Sequence, residues 1–105
     1  MKTKTSELTG DALDWAVAKC EGVDAEAARI FHDEGHYNYS TNWAQGGPII
    51  ERERVCVVYR HASEIWLAYD GKLTEGWGQT PLIAAMRCYV ASKLGDEVAI
   101  PEGLI

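Results

Sequence analysis

Much that would tie this chain to a familiar chemistry is missing from it. Cys20, Cys56 and Cys88 make an odd count of three with no C-x-x-C pair, so neither a disulfide framework nor a zinc site is expected, and the cysteines read as buried free thiols. Basic charge is in deficit. Lys and Arg number 10 against 16 Asp and Glu, a net charge of −6, which argues against general nucleic-acid binding but leaves room for a small anion on a local arginine cluster. The acids are scattered, with Asp33-Glu34 and Asp96-Glu97 the only adjacent pairs, too sparse for a DNA mimic. No apolar run approaches the ~20 residues of a membrane span. Met1-Lys2-Thr3-Lys4 leads into a polar helix start rather than an apolar leader, so a cytosolic protein with no membrane partner is expected.

Catalytic signatures are missing too. There is no nucleophile elbow, P-loop or nuclease motif, and Ser63 near His61 is a local coincidence in a short connector. His32-Asp33-Glu34-Gly35-His36 is not in H-E-x-x-H order, and Gly35 opposes a helix there, so the stretch reads as a polar loop. No metal, no cofactor and no enzyme activity are expected.

What remains is an ordinary globular composition, 47% hydrophobic and 25% charged over 105 residues, enough for one domain spanning 1–105 with a modest core. A first helix is predicted over Gly10–Glu21, capped by Thr9 and ended by Gly22, with Leu13, Ala16, Val17 and Cys20 as its core stripe. Trp15 lies about 150° from that stripe, so it packs under another segment, stays exposed or meets a partner. Ala28–His32 is a weak strand candidate, followed by a loop from Asp33 to Gly47 and a single helical turn over Pro48–Glu53 with Pro48 at its first position. Val55–Tyr59 and Ile65–Tyr69 read as the strands of a hairpin with apolar residues on both faces. Gly76-Trp77-Gly78 reads as a flexible loop. The last helix has Thr80 as N-cap, Pro81 behind it and Gly95 as its stop. Its core stripe is Leu82, Ile83, Met86, Val90 and Leu94. Its opposite face carries Ala84, Ala85, Cys88, Ala91 and Ser92, small enough for close packing by the first helix or by a second copy. Val98–Ile100 is a short edge strand. The whole predicts an α+β fold, a small antiparallel sheet of about three strands packed against two main helices.

Tyr39 to Arg54 is the segment richest in binding chemistry. Trp43 or Tyr39 would stack on a flat ring, Asn42 and Gln45 would read polar edges, the Gly46 and Gly47 amides would approach a phosphate, and Arg52 or Arg54 would neutralise it. The competing reading makes Trp43 a core plug and Gly-Gly-Pro a corner. Trp77, between glycines ahead of a helix start, is a second ring that would cover a ligand or fold back on the hairpin. Arg87, at the edge of the last helix's stripe, would point into a shared pocket or pair with a surface acid such as Glu97.

Three blocks carry a resemblance: Lys4-Thr5-Ser6-Glu7-Leu8-Thr9-Gly10 with Ala12-Leu13-Asp14-Trp15-Ala16-Val17-Ala18, then Trp43-Ala44-Gln45-Gly46-Gly47-Pro48-Ile49-Ile50, then Thr80-Pro81-Leu82-Ile83-Ala84-Ala85-Met86-Arg87. In this order they resemble the NinX-like family of small proteins from lambdoid phages and prophages. The resemblance implies phage origin, expression in the host bacterial cytosol and an accessory role. By analogy of context it suggests an anti-defence protein that sequesters a nucleotide-derived ligand, with a module that inhibits or redirects a host protein as the alternative. A homo-oligomer, most simply a dimer, is expected through the last helix or the second face of the sheet.

Overall fold

The computed structural model describes residues 2–30 and 36–104. Its elements are β1 (Lys2–Lys4), a 3-10 turn over Thr5–Glu7, α1 (Gly10–Cys20), α2 (Ala25–Ile30), α3 (Trp43–Glu53), β2 (Cys56–Arg60), β3 (Ile65–Tyr69), β4 (Glu75–Gly78), α4 (Pro81–Leu94) and β5 (Glu97–Ala99). Four α-helices thus accompany two antiparallel sheets, a three-stranded one in the order β2-β3-β4 and a two-stranded one made of β1 and β5.

The centre of the molecule is α4. Thr80 Oγ1 accepts a hydrogen bond from Ile83 N at 3.1 Å, and Pro81 opens the helix where a missing N–H costs nothing. The helix is then buried around most of its circumference: Leu82, Ala84, Ala85, Met86, Cys88, Tyr89 and Val90 are all buried. Ala84, Ala85 and Cys88 of the small-residue face therefore pack within their own chain, while Ala91 is half-buried and Ser92 exposed. The helix lies on β4, where glycines make room. A Cβ on Gly76 would fall 2.3 Å from Ala84 O, and one on Gly78 would fall 2.7 Å from Ile83 Cγ2. Gly76-Trp77-Gly78 is accordingly a third strand and not a flexible loop, with both glycines turned to the helix.

Helix α1 packs beside α4 and is buried from Ala12 to Ala18. Thr9 stands at its N-cap without a side-chain bond, and Gly22 takes positive φ past its end. Trp15 is covered by α2, and its Nε1 donates to Ala25 O at 3.1 Å. The weak strand expected over Ala28–His32 is thus helix as far as Ile30. Its last two residues, the His32–Gly35 part of the histidine motif and the start of the expected loop lie outside the described residues.

Helix α3 starts five residues earlier than expected. Asn42 Oδ1 accepts from Ala44 N at 2.8 Å, and Pro48 sits inside the helix rather than at its first position. The strand expected over Val55–Tyr59 begins and ends one residue later, and Ile65–Tyr69 forms as expected. The expected edge strand near Val98 exists as Glu97–Ala99, but its pairing with Lys2–Lys4 was not foreseen. Of the cysteines only Cys88 is buried; Cys20 is half-buried and Cys56 is exposed. No helix among the described residues is long and apolar enough to cross a membrane.

Candidate functional site

The structure separates the expected binding residues into three places. The first is the start of α3. Trp43 is 56% exposed and therefore not a core plug. It flanks an apolar depression of about 210 Å³ shared with Ser40, Thr41, Thr80, Leu82 and Ile83. Asn42 is occupied as the N-cap, and Gln45 Oε1 accepts from Asn38 N at 2.7 Å. Tyr39 stacks against Tyr37 at 6.4 Å between ring centres. The phosphate cradle expected at the two glycines does not form. Gly46 N donates to Asn42 O, and Gly46 is a packing glycine, since a Cβ there would lie 2.4 Å from Tyr39 O. Gly47 sits mid-helix, with Trp43 as the nearest neighbour of a Cβ there at 3.8 Å.

The second place holds Arg52, away from any phosphate site. Its guanidinium bridges both Glu21 oxygens, at 2.6 and 3.1 Å, and Glu53 Oε2 at 2.8 Å. Tyr89 OH donates to Glu21 Oε2 at 2.5 Å. The arginine holds Glu21 below the usual carboxylate range, and burial together with Glu21 pushes the Tyr89 phenol well up. Arg54 ends α3 in the left-handed region at φ 55°, with its N–H on Glu51 O. Its role there is in the backbone.

The third place is a cleft of about 450 Å³, which is within the usual size of a small-molecule site. Arg87 reaches into it from α4, with Trp77 on β4 beside it and Lys4, Thr5 and Ser6 opposite. Arg87 Nε donates to Leu8 O at 2.8 Å and one terminal nitrogen donates to Trp77 O at 2.7 Å. Those bonds use two of the five guanidinium N–H groups, and Arg87 has no carboxylate partner among the described residues, Glu97 included. Burial lowers its pKa from the ordinary value, yet arginine stays charged at any physiological pH. The cleft thus holds a half-buried cation whose hydrogen bonds go to two carbonyls. Glu75, Asp96 and Glu97 line the same cleft and supply acceptors.

Sequence reasoning named Arg87 and Trp77 but missed Lys4, Thr5, Ser6, Asp96 and Glu97. The β1–β5 ladder, which sets Lys4 opposite Glu97, brings these distant stretches together. Thr5 reinforces the junction: its N–H donates to Asp96 O and its hydroxyl to Gly95 O at 2.6 Å. Also missed was Asp14, a buried carboxylate on α1 whose Oδ1 accepts from Ser40 N at 2.8 Å. Burial pushes its pKa up while Ser40 holds it down. The Ser40 hydroxyl lies against that carboxylate but completes no hydrogen bond of ordinary geometry, although it is fully buried. Among the described residues no cluster of three or more His, Cys, Asp or Glu side chains is arranged to hold a metal ion.

No curated protein matches the chain. The sequence model of the family described as "Bacteriophage P22, NinX" matches residues 4–93, from the last residue of β1 almost to the end of α4. That span takes in the Arg87 cleft apart from its β5 wall, and the chain belongs to this NinX family.

Proposed function

We propose that this phage protein binds and sequesters a small anionic, nucleotide-derived ligand without transforming it, and that it does so against a host defence signal. The observation that carries the reading is Arg87: a half-buried guanidinium with N–H groups to spare, in a cleft of about 450 Å³ that Trp77 also lines. An anionic group would meet Arg87 and Lys4. A base would stack on Trp77, a contact of ~1–3 kcal/mol. Asp96 and Glu97 favour a ligand that also carries N–H or O–H donors and disfavour one with several negative charges. That combination describes a nucleotide monoanion with a free base amine or ribose hydroxyl.

Sequestration needs slow release and no chemistry, and Arg87 supplies the anion holder for it. Calorimetry against cyclic nucleotides, ADP-ribose derivatives and dinucleotides tests it. One class should bind, Arg87→Gln should weaken binding about tenfold or more, equivalent to ~1.4 kcal/mol, and chromatography should recover the ligand intact. Failure of every class to bind would sink the reading, and turnover would replace it with an enzyme. The alternative, a module that captures a host protein, loses its expected anchor because Trp15 is buried under α2.

A further inference from the structure

We infer that the outer face of the β2-β3-β4 sheet is a two-fold contact with a second copy of this chain, the strands of the two sheets crossing steeply and Arg60 of each subunit meeting Glu75 of the other.

One face of this sheet is filled by α4. On the other, the register sets Val58, Leu67 and Trp77 in a row across the three strands. Val58 and Trp77 are 37% and 39% exposed, and Tyr69 on the same face is 38% exposed. Leu67, at the centre of that row, is buried without belonging to the main core. Contiguous exposed apolar side chains of this kind mark contact surfaces.

The charges identify the occupant. Arg60 ends β2 opposite Ile65, and Glu75 begins β4 opposite Tyr69, so the two stand at diagonal corners of the face, on the order of 16 Å apart by strand spacing and rise. Both are exposed, and neither has an ion-pair partner among the described residues. A two-fold axis lying in the face, passing over Leu67 and perpendicular to that diagonal, exchanges the corners. It places Arg60 on Glu75 of the partner subunit twice, Leu67 on its own copy, Trp77 over Ile65 of the partner subunit and Val58 over Tyr69 of the partner subunit. The strands then cross at roughly 70°, close to the orthogonal class of sheet packing. A surface charged complementarily to itself about one axis is what an isologous dimer requires, and an unrelated partner would not call for it. The face is small beside the ~800 Å² per partner of a standard interface, so the dimer is a micromolar one.

This inference does not rest on the ligand reading, although Trp77 borders both surfaces and the partner would stand at the cleft's rim. Sedimentation equilibrium from low to high micromolar protein tests it. The wild type should show a monomer–dimer equilibrium. Arg60→Glu should weaken the dimer about tenfold or more through like-charge contact. Glu75→Arg should do the same, and the double charge swap should restore most of the lost affinity. All three variants change exposed positions, and circular dichroism checks their fold. A strict monomer at high micromolar concentration overturns the inference. So does a dimer indifferent to either single swap, or one that the double swap fails to restore.

Discussion

Single residues in this protein often serve the backbone where the sequence suggested a ligand. Arg54 is the plainest case. It occupies the left-handed region at φ 55° at the end of α3, a conformation that costs an L-residue ~1–2 kcal/mol and glycine almost nothing. Arg54→Gly should therefore raise stability by about 0.5–1 kcal/mol in urea unfolding and leave ligand affinity unchanged; a loss of affinity would return Arg54 to the site. Asp14 is a second case, with a sign that can be worked out. Its folded pKa lies above the ordinary 3.8, so the stability linked to its protonation is present below 3.8 and is lost as pH rises through the folded value. Asp14→Asn keeps an acceptor for Ser40 N and removes the buried charge. Thermal melts should show it gaining on the wild type between pH 3.8 and pH 7, whereas Asp14→Ala should lose about 1–3 kcal/mol at both ends by orphaning that N–H. Equal destabilisation by Asn and Ala would mean that the anchor needs the charge.

At the scale of elements, legibility followed the range of the forces. Helices α1 and α4 could be read because cap, periodicity and stop signal are local. Even α3 carried a start signal, Asn42 followed three residues later by Gln45, which Gly46-Gly47-Pro48 masked. Strand β4 could not be read. Glycine is a poor strand former, and Gly76 and Gly78 are glycine only because α4 lies against them. Gly76→Ala should then cost about 3 kcal/mol or more, since the clash is with backbone rather than with a side chain that can swing away. A melting temperature close to wild type would show that β4 and α4 are less tightly apposed. Likewise β1 has three residues and no apolar pattern, and only its pairing with β5 makes it a strand. The cleft inherits this limit. Arg87 and Trp77 stand out in the sequence, while Lys4 and Glu97 become neighbours only through that pairing. The link between Glu21 on α1's edge and Arg52 on α3 is electrostatic and has the opposite pH sign to Asp14. Glu21's folded pKa lies below its ordinary 4.5, so its contribution is present above that value and is lost as pH falls through the lowered one. Arg52→Gln should remove this part of the acid sensitivity, seen as a shallower loss of melting temperature below about pH 4.5.

At the scale of the whole molecule, one helix organises both candidate surfaces. Its packing against β4 and α1 fills the core, turns Trp77 outward and brings Arg87 to the junction between the two sheets. Most of the small face of α4, namely Ala84, Ala85 and Cys88, is used internally, and the outer sheet face is the contact we infer for a second copy, with the Arg87 cleft at its border. The most direct measurement of the central claim is an NMR titration of the uniformly labelled protein with the tightest-binding nucleotide monoanion. The amide shifts should cluster at Lys4–Ser6, Glu75–Trp77, Arg87 and Asp96–Glu97, and should vanish in Arg87→Gln. Shifts centred instead on Trp43 and Thr80, or shifts that persist in Arg87→Gln, would contradict the account.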